Sequence, residues 1–357
     1  MRKLVARGSF RSVGAQIGEE TRSDLPFVFD KAVEFLLENA TAGSLARMRS
    51  IADGYVASAK GIFPQAVEYL EGLAYGGGLS FEDVALISFS EEIRTEFHAD
   101  PKPEKCTTLA VKTRDGWLIG HNEDYEPQYL GKMFALDLRI SGHPRVLALN
   151  YPGMFPCLAG SLNLRGVAIA NNSLWPDAVP GLSKNLLHFR AALAEDMDQA
   201  IEWLARQPAA LTGHYTVAWA PSDDLVGLEV SNPQTAEEIV CLHQPGPTSY
   251  AHTNHVRLLK LKGDDPAVVQ RNHSVDRLAA AQKILDGANP PRTPEAMLDL
   301  LSRNDGLLHR TPEQNPTSVT LATVVIRPRT GEVWIRDADP AAAEPDLHLS
   351  FGRAKPN

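Results

Sequence analysis

Cysteine is scarce in this chain: Cys106, Cys157 and Cys241 are the only three in 357 residues. They are too few and too scattered for a disulfide framework or a zinc knuckle. Long apolar runs are also missing, and nothing approaches the roughly 18 residues of a membrane span. Positive charge is in deficit, with 35 Lys and Arg against 44 Asp and Glu and a net charge of -9. That argues against nucleic acid or an anionic membrane as the main partner, because both require concentrated basic residues. The first residues, Met1-Arg2-Lys3-Leu4-Val5-Ala6-Arg7-Gly8, are basic but lack the apolar stretch, roughly 7–15 residues long, of a secretory signal. A cytoplasmic protein is therefore expected. No internal repeat, low-complexity tract, phosphate loop or acyl-CoA-binding signature is visible.

What is present has the texture of a globular enzyme, 43% hydrophobic and 22% charged, with length enough for about two domains. From about residue 24 to 90 the apolar spacing is helical, as in Phe27, Val28, Phe29, Ala32, Val33, Phe35 and Leu36. Ser80-Phe81-Glu82-Asp83 reads as a helix N-cap, and Tyr75-Gly76-Gly77-Gly78 as a break before it. The segment Ala99-Asp100-Pro101-Lys102-Pro103-Glu104-Lys105 then interrupts with two prolines and four charges, which marks an exposed linker. Beyond it the pattern turns to strands at 133–140, 145–150 and 166–171, a helix at 182–206, and strands at 214–220 and 225–230. Helices at 275–285 and 294–302 follow, then a closing hairpin of 318–327 with 332–336. The division is thus a helical segment, 1–105, and a sheet-rich core, 106–357. Such alternation suggests two antiparallel sheets packed together with helices outside.

The most informative stretch is Cys106-Thr107-Thr108-Leu109-Ala110-Val111-Lys112, followed by Gly120-His121-Asn122-Glu123-Asp124-Tyr125. An Asp-Gly pair, Asp115-Gly116, suits the tight turn of a hairpin, which brings Cys106 back beside Asp124. The pattern resembles the N-terminal-nucleophile (Ntn) hydrolases, specifically the autoproteolytic cysteine family of penicillin acyltransferase, related to choloylglycine hydrolases. Three further patches agree in order: Asn163-Leu164-Arg165-Gly166-Val167-Ala168, running to Asn171-Asn172-Ser173; His252-Thr253-Asn254-His255; and Thr320-Leu321-Ala322-Thr323-Val324-Val325.

The resemblance implies an α+β fold, the αββα four-layer Ntn sandwich, preceded by an N-terminal helical segment. It implies self-cleavage between Lys105 and Cys106, leaving a heterodimer of the chain's own two fragments and, beyond that, room for a homo-oligomer of such pairs. Cys106 becomes the nucleophile, with its own new α-amino group as base, and an amine of pKa about 7.7–8.0 suits that role. Asp124 would orient the ammonium through a charge-assisted hydrogen bond, although an acid there also reads as a solvated loop residue. Asn254 would donate to the oxyanion, a role suited to an amide that does not titrate. The Asn171, Asn172 and Ser173 backbone would lie beside the reacting carbonyl, although consecutive asparagines also favour left-handed turns for local reasons. His121, where the choloylglycine branch has arginine, and Asn122 are candidates for substrate contact, with strand-end polar residues as the local alternative. The chain departs from many relatives in carrying Lys105 rather than glycine before the nucleophile, a restriction on the strained geometry that self-cleavage uses.

The activity so implied is hydrolysis of a linear, non-peptide or short peptide-like amide through an acyl-enzyme. The small-molecule amide is the partner, with no cofactor and no metal. His252 and His255 have helical i, i+3 spacing, but no third ligand of convincing spacing accompanies them. Acyl transfer to an amine, or an uncleaved binding protein on the same fold, are the alternatives.

Overall fold

A computed structural model describes residues 1–38, 44–96, 106–174, 179–246, 248–262, 273–303, 308–342 and 346–352. The expected linker and Lys105 lie outside these residues. The chain begins with strand β1 (Arg2–Gly8), which sequence texture does not announce. Only Leu4 and Ala6 of this strand turn inward, too short an alternation to stand out among basic residues. Helices α1 (Phe10–Thr21), α2 (Leu25–Glu38), α3 (Ser44–Ile62), α4 (Pro64–Gly77), α5 (Phe81–Ser88) and α6 (Ser90–Glu96) follow. Ser9 caps α1 by accepting the Ser12 N–H, and Ser80 caps α5 by accepting the Asp83 N–H.

Helices α1 and α4 touch backbone to backbone. A Cβ on Gly72 would lie 2.0 Å from the Arg11 carbonyl oxygen, and one on Gly76 would lie 1.9 Å from that of Ala15. Real side chains do not fit at such distances, so glycine is what permits this crossing.

The core then runs through strands β2 (Thr107–Thr113), β3 (Gly116–Tyr125), β4 (Phe134–Ile140), β5 (Val146–Asn150), β6 (Ser161–Asn163) and β7 (Val167–Ser173). After helices α7 (Lys184–Ala192) and α8 (Met197–Leu204) come β8 (Gly213–Trp219), β9 (Asp224–Val230), β10 (Val240–His243) and β11 (Ser249–His252). Helices α9 (Ser274–Leu285) and α10 (Pro294–Leu301) precede β12 (Val319–Arg327), β13 (Glu332–Asp337) and β14 (Asp346–Ser350). The single helix expected over 182–206 is two, because Asp196 starts a new one by accepting the Gln199 N–H.

One sheet has eight strands in the order β1-β4-β5-β6-β7-β8-β9-β10, the other six in the order β11-β2-β3-β12-β13-β14. Their facing sides share one core, where Ala110, Ile119 and Val324 meet Leu147, Leu149 and Ala168. Val13, Leu70 and Phe89 of the early helices cover the outer face of the large sheet against Leu4, Leu136 and Leu138. Leu285, Met297 and Leu301 of α9 and α10 cover the small sheet against Leu109, Val111 and Val325. The layers are therefore helix, sheet, sheet, helix, the αββα Ntn architecture with N-terminal helices. Both faces of β2 and β3 are covered, which is why these strands read as nearly continuous buried runs. Among the described residues, no helix is long and apolar enough to cross a membrane.

Candidate functional site: a buried cysteine at the mouth of two sheets

β2 and β3 form the expected hairpin, with Thr107 opposite Asn122, Thr108 opposite His121, and Thr113 opposite Gly116. The turn is Arg114-Asp115, one place earlier than the Asp-Gly pair. Positive φ is required only at Gly116 (+88°), while the Thr113 hydroxyl accepts the Asp115 N–H and donates to the Gly116 carbonyl. One step beyond the Thr107–Asn122 pair, Cys106 stands opposite Glu123, and directly opposed residues point to the same face. Accordingly the ligand atoms of Cys106, His121 and Glu123 lie within 4.8 Å of one another, on the side facing the other sheet. Asn122 and Asp124 point the other way, towards α9 and α10.

That second face holds a residue sequence reading did not single out. Arg277 of α9 is fully buried, donates from Nη1 to the Cys106 carbonyl (2.6 Å) and the Thr107 hydroxyl (2.8 Å), and from Nη2 to Asn254 Oδ1 (2.7 Å). One guanidinium thus ties the backbone of the cysteine to the side chain of the expected oxyanion donor. Burial pushes its pKa down to about 10, against the pull of the Asp124 carboxylate. Asp124 is itself buried, and among the described residues neither carboxylate oxygen has a well-formed hydrogen bond. Burial pushes its carboxyl up to about 6, although Arg277, the Thr320 hydroxyl and Arg310 favour the charged form. Thr320 stands opposite Asp124 where β12 slips register, between Thr320 and Ala322.

On the cysteine side chain's own face, His121 Nδ1 lies 2.9 Å from the Thr108 hydroxyl, and His121 Nε2 lies 3.0 Å from Glu123 Oε2. Tyr151 donates to Glu123 Oε1 at 2.8 Å. Thr108 also reaches Asn172 Oδ1 (2.9 Å), which contacts His214 Nδ1 (3.2 Å). Cys106, His121 and Glu123 are the donor types a metal would use, but both His121 nitrogens are already engaged. The spaced pair His252 and His255 does not share a site. His252 Nε2 meets Glu229 at 3.0 Å, and His255 Nδ1 meets the Ser274 hydroxyl at 2.8 Å. Burial opposes charge on Glu229, yet His252 and the N–H groups of Leu258 and Leu259 bring its pKa down to about 2.

The remaining sequence candidates separate into near and structural. Asn254 Nδ2 donates to the Ser173 carbonyl (2.9 Å), so the His-Thr-Asn-His segment does meet the end of the Asn-Asn-Ser strand. Asn172 is fully buried beside Thr108, and among the described residues its Nδ2 has no partner. Asn171 Nδ2 donates to the Leu158 carbonyl. Ser173 receives Lys184 Nζ at 2.6 Å and donates to Glu91. Asn122 does something else. Its Nδ2 donates to the carbonyls of Leu301 (2.8 Å) and Leu308 (2.7 Å), and its Oδ1 accepts from Thr323, which fastens α10 and the segment after it to β3.

A cleft of about 430 Å³, open to solvent, is lined by Glu123, Tyr125, Tyr151, Met154, Asn171, Lys184 and Glu91. A neighbouring depression shares Ser90, Glu91, Tyr125 and Met154 with it and adds Glu126 and Tyr129. Glu123 is thus both beside the thiol and in the cleft wall. Strand alternation could have found it, since it shares the face of Cys106 and His121. Nothing in the sequence of α9 distinguishes Arg277 from a surface arginine.

Comparison with known proteins adds the lineage. Residues 111–342, well over half of the chain, match the family model described as acyl-coenzyme A:6-aminopenicillanic acid acyl-transferase, which begins just after Cys106. A β-alanyl-dopamine/carcinine hydrolase from Drosophila melanogaster is 28% identical over 173 residues, 44% of this chain and 44% of that one. This chain therefore spans less than half the length of that relative. Among solved structures, a Caenorhabditis elegans orthologue of N-acylethanolamine-hydrolyzing acid amidase is similar at 12% identity and a TM-score of 0.48. That match covers 68% of this chain and 100% of the other. Penicillin V acylase from Agrobacterium tumefaciens is similar at 13% identity and a TM-score of 0.39, over 69% and 86%. The length of the family match makes this chain a member of the acyl-coenzyme A:6-aminopenicillanic acid acyl-transferase family.

Proposed function

We propose that this protein is an N-terminal-cysteine amidohydrolase that first cuts its own chain between Lys105 and Cys106. The observation that carries the reading is the buried Asp124 carboxylate, without a well-formed hydrogen bond, on the strand next to Cys106, whose carbonyl Arg277 holds. A carboxylate desolvated without a partner is costly. The α-ammonium released at Cys106 is a group of the right charge, appearing at the adjoining end of β2.

In self-cleavage the Cys106 thiolate attacks the Lys105 carbonyl carbon, the Lys105–Cys106 C–N bond breaks, and the nitrogen takes up a proton as the new α-amine. Water then hydrolyses the thioester and frees the Lys105 carboxylate. In turnover the α-amine accepts the thiol proton, and the thiolate attacks the substrate amide carbonyl. Asn254, held by Arg277 through its Oδ1 and with one Nδ2 hydrogen on the Ser173 carbonyl, has the second Nδ2 hydrogen to donate to the oxyanion. The α-ammonium protonates the leaving amine, and water releases the acyl group. The fragments 1–105 and 106–357 stay together as a heterodimer acting on a small linear amide in the cytoplasm. The family's name favours acyl transfer as a second reading, in which an amine takes the place of the final water.

The test is intact-mass spectrometry of the purified chain. Two fragments are expected, the second beginning Cys-Thr-Thr-Leu, and Cys106→Ala stays whole. Equal cleavage of Cys106→Ala and the parent refutes self-processing.

A further inference from the structure

Resting on that self-processing reading, we infer that Glu123 is the general base of the first cut, taking the proton of the Cys106 thiol and returning it to the leaving nitrogen. The uncut chain needs such a group. The α-amine that serves in turnover does not exist yet, since the Cys106 nitrogen is still an amide whose lone pair is delocalised into the carbonyl.

His121 and Glu123 are gathered at the sulfur, with the ligand atoms of all three residues within 4.8 Å of one another. Hydrogen-bond capacity chooses between them. A neutral imidazole has one acceptor nitrogen, and His121 has Nδ1 on the Thr108 hydroxyl (2.9 Å) and Nε2 on Glu123 Oε2 (3.0 Å). Neither tautomer leaves a lone pair for a third group. A carboxylate has about four acceptor positions, and on Glu123 Tyr151 takes one at Oε1 and His121 one at Oε2. The basic positions left over at the sulfur are therefore on Glu123. Tyr151 and His121 hold that group from two sides, and Thr108 on the neighbouring strand braces His121, so the carboxylate is in place before the reaction begins.

Charge points the same way. Cys106 is 1% exposed and Glu123 5%. Releasing the thiol proton to water would leave two negative charges side by side in a poorly solvated place, which costs free energy. Passing it to Glu123 moves a charge and creates none. Asp124, the next acid of β3, does not compete, because strand alternation turns it to the opposite face.

The step balances within the chain. The thiol proton goes to Glu123, the sulfur pair forms the bond to the Lys105 carbonyl carbon, and the carbonyl π pair moves to its oxygen. As that pair returns, the C–N bond breaks and its electrons take the proton from Glu123. A carboxylate is left beside a thioester and a free amine.

The experiment follows the full chain from cell-free synthesis, reading the conversion of whole chain to fragments with time by intact mass. Glu123→Gln keeps an acceptor for Tyr151 and removes the basic oxygen, and should be cut at least about 10²-fold more slowly than the parent. Glu123→Ala should be equally slow and should speed up in proportion to added formate, which replaces the lost carboxylate from the solvent-open cleft that Glu123 lines. Chloride at the same ionic strength should do nothing. A purely structural carboxylate would not give that difference. Cutting of the parent should rise with pH far less steeply than about tenfold per unit between pH 5 and 8, the slope that ionisation to solvent requires below the pKa of about 8.5 of a free thiol. Should either variant fail to unfold cooperatively in urea, the parent's pH profile decides alone. Parental cutting of Glu123→Gln, a folded Glu123→Ala indifferent to formate, or the tenfold slope overturns the inference. A parent that is never cut refutes the self-processing reading instead.

Discussion

Burial of Asp124 makes a prediction with a sign that reverses on processing. In the uncut chain its carboxyl is pushed up to about 6 from an ordinary value of 3.8. A raised folded-state pKa means that its contribution is fully present below the unfolded value and lost as pH rises through the folded one. The whole shift, about two units, corresponds to about 3 kcal/mol, of which about 2 kcal/mol falls between about pH 4.5 and pH 7.5. The test uses Cys106→Ala, which on the proposed mechanism stays uncut, with and without Asp124→Asn, in urea unfolding at those two pH values. Asparagine keeps the shape and removes the titration, so the double variant should gain about 2 kcal/mol on the single one as pH rises. Glu92, pushed up to about 8 mainly by its own burial and by Glu91, slopes the same way. It is common to both chains and cancels. On the proposed mechanism the α-ammonium of the cut enzyme would favour the ionised carboxylate, so Asp124→Asn should then destabilise at neutral pH. A stability difference independent of pH in the uncut pair would refute the argument that burial raises the Asp124 carboxyl.

Two further outcomes follow from the same geometry. Asn254→Ala in cut enzyme should lower kcat by about 10²-fold or more with little change in KM if Asn254 is the proposed oxyanion donor, since such a donor acts chiefly on the transition state; His255→Ala is the comparison, and loss of its activity together with zinc restoring the wild type after chelation would indicate a metal centre instead. Gly72→Ala should destabilise the protein by at least about 2 kcal/mol in urea unfolding, since its Cβ would meet the Arg11 carbonyl at 2.0 Å and backbone cannot step aside as a side-chain tip can.

Sequence made the sandwich legible where strands are covered on both faces and turn residues punctuate them. The β2–β3 hairpin, β12 and β13 all stand close to where alternation and turns place them. It failed for β1, because a strand whose partner is β4, about 130 residues away, has a short pattern of its own and a tertiary reason to exist. Within the site, the stretch around Cys106 and the His-Thr-Asn-His segment were visible because their residues are contiguous. Arg277 was not, since its role comes from the approach of α9 to the end of β2, a contact across 171 positions. Glu123 lay in plain view between named residues. The face-by-face reading that separates it from Asp124 follows once the hairpin register is known.

The parallel pairing of Arg2–Gly8 with Phe134–Ile140 gives the proposed cut a thermodynamic direction. Before it, β1 finds its place beside β4 as part of one chain, and closing the intervening loop is a modest, length-insensitive entropic cost. After it, the same strand belongs to a separate molecule, and reassembly must meet the translational and rotational cost of association, on the order of 4–15 kcal/mol. The enzyme would then fold as one species and persist as another. Refolding from denaturant would depend on protein concentration, and the lifetime of the working form would be governed by how slowly the nicked pair comes apart.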